Sequence, residues 1–328
     1  MSGSSIFATM RKRSDLGAIL IATALFILYA VADPEGFFNW FTLKNIIQFS
    51  AILAFVAIGQ TLLLIAREVD LSVGSVYGLA GIGLILLERE VGVVPAALLV
   101  LLGAAGIGYL HALLVLRGRL PSMIVTLCGL FFYRGLIYFW SGGSIPSLAR
   151  DARRNWLVEI LGGQWLGLEN AVVLLIITAI VFHLVLTRTP FGNRLYAVGN
   201  DEPSALSRGV DTLRVKTRAF VLCSMLAAFA GILTIADKPN TYVTMGFQYE
   251  LEAIAAAVVG GCALTGGRGT VLGAILGSLI IVSVRYELIS IGAPSSWFIT
   301  FVGILLIAAV IFNRSIENWV RGVRPAAA

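Results

Sequence analysis

The sequence predicts an all-α integral membrane protein, and three observations carry that prediction. Of its 328 residues 58% are hydrophobic and only 13% charged, whereas a soluble domain carries ~25% charged residues. Apolar runs close to membrane-crossing length recur along the whole chain, broken by short polar segments. The 35 glycines suit helices packed closely in a bilayer, where small residues let backbones approach.

Residues 1–14 are polar and carry Arg11-Lys12-Arg13. The run Leu16–Ala32 follows and ends Ala30-Val31-Ala32 before Asp33, imitating a signal peptide with its small-x-small cleavage motif. We read it as a first span, with cleavage as the alternative. Nine more spans are expected at Ile46–Ala66, Ser72–Leu87, Val93–Leu116, Pro121–Ser141, Asn170–Leu186, Thr217–Ala236, Leu251–Leu264, Thr270–Ile289 and Ser296–Phe312. Ten spans result. Ser72–Leu87 and Leu251–Leu264 fall short of the ~20 residues that cross a hydrocarbon core.

Basic residues set the orientation. With the N-terminus inside and sides alternating, the inner segments collect sixteen Lys and Arg and the outer ones seven, with Arg134 inside a span. This positive-inside bias puts both termini in the cytoplasm together with residues 188–215, and makes residues 142–169, with Trp156 and Trp165, the main outer loop. The net charge of +6 is therefore a topology signal and no evidence for nucleic acid. Ten spans divide into two five-helix halves, which are inverted if they are alike. One faint echo links them. Glu68-Val69-Asp70-Leu71 leads into one short span and Tyr249-Glu250-Leu251-Glu252 into the other, each followed by a run rich in Gly and Ala. Short spans at matching places in two halves point to a translocation site.

The stretch Thr187–Arg218 is a polar interruption with six basic residues between apolar spans. It holds a short helix with readable ends. Asn200 or Asp201 can cap it, Pro203 fits its first turn, Ser204 to Arg208 continue it and Gly209 can stop it. Such a loop either docks another protein or only obeys the charge bias of cytoplasmic loops.

Glu68 and Asp70 must face a wet cavity, cap a helix or pair with a base, because lone carboxylates at membrane depth are costly. Asp70 is placed to cap a helix starting at Leu71-Ser72, and Arg67 to neutralise Glu68. Arg134 needs a carboxylate or backbone carbonyls inside the bundle. Ser72, Ser75 and Thr126 can offer hydroxyls to a polar solute, and Tyr77, Phe131 or Phe132 a stacking face, although aromatics at helical spacing also serve as packing. The run Gly260-Gly261-Cys262-Ala263-Leu264-Thr265-Gly266-Gly267-Arg268-Gly269 turns the chain at the inner face and lacks the GK[ST] of a phosphate loop. His111 and His183 each stand alone in an apolar run and read as structural or interfacial residues. Cys128, Cys223 and Cys262 have no metal-ligand spacing, so neither a disulfide framework nor a metal site is expected. There is no P-loop lysine, no G-x-S-x-G, no H-E-x-x-H and no file of mid-span carboxylates for a proton relay. No cofactor or catalytic residue is expected, and uphill transport then needs a partner that supplies energy.

An ordered set of motifs runs through nearly the whole chain: Val69-Asp70-Leu71-Ser72-Val73-Gly74-Ser75, Val125-Thr126-Leu127 with Tyr133-Arg134-Gly135, and Phe191-Gly192-Asn193 through Gly199-Asn200. Ser207-Arg208-Gly209-Val210, Tyr249-Glu250-Leu251-Glu252-Ala253, Gly260-Gly261 and Gly266-Gly267-Arg268-Gly269-Thr270 follow. By these the chain resembles the membrane permease subunit of bacterial sugar-type ABC importers, the group with ribose, galactofuranose, rhamnose and autoinducer permeases. The resemblance implies a single permease domain over 1–328 in the inner membrane, paired as a homodimer or with a sibling permease. It also implies a cytoplasmic ATPase and a periplasmic sugar-binding protein. Gly199, Asn200, Ala205, Ser207, Arg208 and Gly209 would then couple to the ATPase. Asp70, Ser72, Ser75, Thr126, Phe131, Arg134, Glu250 and Glu252 would line the sugar path. Three departures bear on the sugar and its gating: Arg67-Glu68-Val69 where relatives usually have two glycines and isoleucine, Leu251-Glu252 for Leu-Asp, and Cys262 for Ser or Thr. Leu127 to Pro146 and Ser295-Ser296-Trp297 look most like the galactofuranose type. The rivals are a branched-chain amino acid importer of the same architecture, an ion-coupled secondary transporter and a multispan membrane enzyme.

Overall fold

A computed structural model describes residues 16–165, 167–294 and 296–321. The basic residues 11–13 and Arg324, which weigh in the charge bias, lie outside the described residues. A helix stands at each of the ten expected spans: α1 (Leu16–Ala32), α3 (Trp40–Ile65), α4 (Val73–Val91), α5 (Val93–Ala112), α6 (Ser122–Ser141), α8 (Asn170–Arg188), α11 (Thr212–Asp237), α12 (Tyr249–Val259), α13 (Val271–Ser290) and α14 (Ser296–Arg321). Short helices lie between them: α2 (Pro34–Phe37), α7 (Trp156–Gly162), α9 (Pro190–Asn200) and α10 (Glu202–Ser207). The last turn of α5 widens into a π-helical turn, Leu113–Arg117. Among the described residues, six helices are long and apolar enough to cross a membrane: α3, α5 with its π turn, α6, α8, α11 and α13.

Burial sorts these helices into centre and rim. In α3 89% of the apolar window is buried inside the protein, against 17% in α8. A helix apolar on every side belongs in the middle if protein surrounds it and at the rim if lipid does. α3 is that centre, with Phe55 on its flank edge-on to Phe229 of α11, and α8 presents Ile176, Ile177, Ile180 and Leu184 outward.

The connecting segments collect at two ends. At one end the 66–72 turn, α9, α10 and the 260–270 loop meet: the backbone N–H of Gly267 donates to the Ile65 carbonyl over 2.9 Å. At the other end Leu148 pairs with Pro239, Lys44 lies 3.2 Å from Glu169, Gln48 donates to Asp237 and Ser290 to Asp33. The first set is the one the charge bias assigns to the inside and the second the one assigned outside. The 142–169 segment carries α7 and a two-residue hairpin, β1 (Gln164–Trp165) with β2 (Leu168–Glu169).

Three boundaries differ from expectation. α4 is not short: it runs on through Glu88-Arg89-Glu90 to Val91, 19 residues, because Arg89 and Glu90 are exposed and buried Glu88 accepts from Ala149 N–H. α12 is shorter than expected, 11 residues, or about 16 Å at 1.5 Å per residue, roughly half of a ~30 Å core. The polar stretch Thr187–Arg218 is mostly helical rather than one loop, since α9 fills 190–200 and α11 already starts at Thr212 with Asp211 as its cap.

Candidate functional site

α10 forms as its sequence dictates. The Asp201 side chain accepts from Ser204 N–H, Pro203 sits in the first turn, and Arg208 is the C-cap. Asp201, not Asn200, is the cap; the Asn200 side chain donates back to the Tyr196 carbonyl. Gly209, at φ +79°, closes the helix as a Schellman turn: its N–H donates to Leu206 O and that of Val210 to Ala205 O. Ala205 is buried, while Leu206, Ser207 and Arg208 are exposed. The Ser204 hydroxyl and N–H hold the Asp201 carboxyl below its ordinary range.

Behind α10 lies a hub that joins three distant segments. Lys216 Nζ, on α11, donates to Glu68 Oε1 over 2.8 Å and to Glu202 Oε2 over 2.9 Å. Arg67 Nε donates to the Gly199 carbonyl over 2.7 Å and Nη2 to that of Asn200 over 2.6 Å. The guanidinium thus satisfies the last carbonyls of α9, where a cation is favoured. Gly199 is required there: a methyl group on it would overlap the Ile65 carbonyl oxygen. Arg67 therefore does not neutralise Glu68. It is turned away by its own backbone, at φ +62°, and Lys216 takes its place.

The expected path residues divide into a buried set and an exposed one. Asp70, Ser72, Ser75 and Thr126 are all buried. Asp70 does not cap at Leu71-Ser72; the helix starts at Val73 after Ser72, and Asp70 Oδ1 accepts from both the N–H (2.7 Å) and the hydroxyl (2.6 Å) of Ser72. Gln60 donates to the Asp70 carbonyl, and Thr126 Oγ1 accepts from Leu71 N–H over 3.0 Å while donating to Ser122 O over 2.8 Å. Ser75 Oγ donates to Leu130 O. The other Asp70 oxygen lies 3.5 Å from His111 Nδ1, whose Nε2 is 3.0 Å from the Tyr133 hydroxyl. His111 is thus not alone: it links α5 to the 66–72 turn and to α6.

The second broken stretch runs through residues 238–248, irregular backbone ahead of α12. Arg134 of α6, half-buried, donates to the carbonyls of Val243 (3.2 Å) and Met245 (2.7 Å). Irregular backbone between spans is held where its polar groups find partners in protein, and Arg134 supplies a donor to two of these carbonyls. α6 therefore satisfies both breaks, through Thr126 and Arg134. The helices that follow the two breaks also touch, since Tyr77 of α4 stacks on Tyr249 of α12 with ring centroids 4.9 Å apart. Glu250 is buried beside this contact, and Glu252 pairs with Arg285 of α13, which lies over the Phe298 ring. Phe131 and Phe132 stand apart, exposed on the outer face of α6. Sequence reasoning missed Lys216 and Arg67 as a helix-end clamp, and for His111, expected as a structural residue, it could not name the partners Asp70 and Tyr133. The one available signal was a buried-length cation, Lys216, one helix turn inside α11 with acidic residues in both neighbouring inner segments.

Comparison with known proteins gives the family. Residues 42–310 match the family described as branched-chain amino acid transport system / permease component. The inner membrane ABC transporter permease protein YjfF of Escherichia coli is 34% identical, covering 91% of this chain and 92% of its own. The ribose import permease protein RbsC of Bacillus subtilis is 31% identical, over 91% and 92%. The autoinducer 2 import system permease protein LsrC of Yersinia enterocolitica is 32% identical, over 90% and 81%. No solved structure matches the chain. With its apolar helices, its motif set and this match over most of its length, the chain is a multi-pass membrane protein that belongs to the branched-chain amino acid transport system / permease component family.

Proposed function

We propose that this chain is the permease subunit of an ATP-binding-cassette importer that carries a monosaccharide across the bacterial inner membrane. The observation that carries the reading is the hub: a capped, exposed helix, α10, tied through Lys216 to the 66–72 turn, which Arg67 in turn ties to α9. A rigid short helix so attached transmits a partner's movement to the spans behind it. A cytoplasmic ATPase would seat Leu206, Ser207 and Arg208, and a periplasmic binding protein would deliver sugar at the opposite end. The energy is the partner's, and this chain does no bond chemistry. Both termini and residues 188–215 lie in the cytoplasm, 142–169 in the periplasm, and the whole of 1–328 forms one domain. All ten helices belong to the span set, in two inverted halves whose broken members meet at Tyr77 and Tyr249.

The sugar path runs where those broken members meet. Displacement of the 66–72 turn against α6 breaks the Leu71–Thr126 bond and opens the space between α4 and α6 to the sugar, with Ser72, Ser75 and Thr126 beside it and Asp70, Arg134, Glu250 and Glu252 around them. The exposed face of α6, with Phe131, faces a second permease chain, a copy or a sibling. Relatives named for ribose and autoinducer 2 import favour a sugar, while the family's own description names branched-chain amino acids. Uptake by proteoliposomes holding the permease, its ATPase and its binding protein decides between them. ATP-dependent accumulation of a labelled pentose or hexose, untouched by excess leucine, is expected. Accumulation of leucine, or uptake driven by an ion gradient without ATP, overturns the reading.

A further inference from the structure

α5 and α11 run antiparallel and touch closely where Gly108 lies against the backbone of Phe220 and Val221. Towards their other shared end they line a groove of about 350 Å³, formed by the π turn of α5 and the first turns of α11. A π turn adds a residue to each hydrogen-bonded ring and widens the helix, and such turns recur at functional sites. The groove has two chemistries. Leu113, Leu116 and Leu213 line it with apolar surface, and Arg117, Arg214 and Arg218 bring three guanidinium groups to its mouth. One carboxylate, Asp211, shares the lining, and it is already engaged by Arg214 Nε at 2.9 Å. Among the described residues Arg117 and Arg218 have no carboxylate partner.

Apolar walls with surplus cations at the end of two apolar helices match a molecule that is itself an acyl chain joined to an anionic head. We propose that this groove binds an anionic phospholipid, its phosphate on Arg117 and Arg218 and an acyl chain along Leu113, Leu116 and Leu213. Basic grooves between spans on the cytoplasmic side suit such headgroups, and that leaflet carries the anionic lipid. The N-terminus of α11 adds its partial positive charge. The alternative occupant, a soluble phosphate, would use the arginines but leave the leucine wall unfilled.

The test is lipid retention by the full-length permease. The protein is purified from nanodiscs of phosphatidylcholine with phosphatidylglycerol and its bound lipid is weighed by native mass spectrometry. Thermal unfolding is followed in parallel, in phosphatidylcholine alone, with added phosphatidylglycerol, and with inorganic phosphate. Wild type is expected to retain phosphatidylglycerol and to melt higher with it, with inorganic phosphate giving no such shift. Arg117→Gln with Arg218→Gln should weaken retention by roughly tenfold or more, as two cations near an anionic surface are removed, while Arg117→Lys with Arg218→Lys retains most of it. Arg188→Gln with Arg194→Gln, the same charge change outside the groove, should leave retention unchanged. Equal retention by the Gln pair and wild type, equal loss in the Arg188/Arg194 pair, or an equal shift with inorganic phosphate would each overturn the proposal.

Discussion

Lys216 Nζ lies 2.8 Å from Glu68 Oε1, and both groups are buried although 148 residues separate them in the chain. The same ammonium holds Glu202 of α10 at 2.9 Å, so one cation ties α10 to the turn that starts α4. Breaking a buried pair from one side leaves an uncompensated charge and costs about 3–5 kcal/mol. Lys216→Met should therefore lower the unfolding temperature of the purified permease and abolish ATP-driven uptake. Adding Glu68→Gln should return part of the stability but not the uptake, since the tie stays cut. Full uptake in the double variant would show that the tie transmits nothing.

Arg134 stands guard over the irregular 238–248 backbone through the Val243 and Met245 carbonyls. Arg134→Met takes the donor from both acceptors in a half-buried place, at up to about 1–3 kcal/mol each. Thermal unfolding in detergent should fall clearly for Met and less for Lys, whose ammonium can replace the one nitrogen, Nη1, that serves both carbonyls. An unchanged melt for Arg134→Met would mean that the two carbonyls find other donors.

Two glycines on different backgrounds give opposite expectations. A methyl at Gly199 would overlap the Ile65 carbonyl, backbone against backbone, so Gly199→Ala forces a shift costing about 1–3 kcal/mol and should loosen α9 from the 66–72 turn. A methyl at Gly135, inside α6, meets nothing within 4 Å, so Gly135→Ala should be neutral or stabilise by about 0.5–1 kcal/mol through helix propensity. Melting curves of both variants check the pair together.

The Asp201 cap makes α10 sensitive to acid in a defined direction. Hydrogen bonds from the Ser204 hydroxyl and N–H lower this carboxyl's pKa in the folded protein. A group lowered on folding contributes its stabilisation in full above the unfolded-state pKa and loses it as pH falls through the folded one. The cap should thus persist at a pH where ordinary exposed aspartates are already half protonated. Hydrogen exchange at Ser204 N–H, followed downward in pH, should show protection lost late in wild type and little pH dependence in Asp201→Asn, which caps without titrating.

The sequence carried the positions of all the principal helices because apolar runs, glycines and the Lys/Arg bias are local signals, and it carried α10 because Asp201, Pro203 and Gly209 act within their own turn. Pairings across the bundle were not legible. Arg67 sits beside Glu68 in sequence, which invites a local pair, yet its left-handed backbone points it to α9. Lys216 looks like one more cytoplasmic cation until folding places it between Glu68 and Glu202. His111 is isolated in an apolar run, and only the packing of α5 against the 66–72 turn and α6 gives it Asp70 and Tyr133. Arg134 needed a carboxylate or backbone carbonyls, but which ones depended on the path of residues 238–248, which composition leaves as the stretch between the spans ending at Ala236 and starting at Leu251.

The most direct test of the account is whether a P-loop ATPase stays with this chain through purification, and whether α10 is what holds it. Gly209 adopts φ +79° with open space around it, so Gly209→Arg strains the turn that ends α10 without pushing into the bundle. Wild type should carry the ATPase from solubilised membranes, and Gly209→Arg should lose it while melting close to wild type. A wild-type permease that never brings an ATPase with it, or a Gly209→Arg permease that keeps its full share, would contradict the claim that α10 is the docking element.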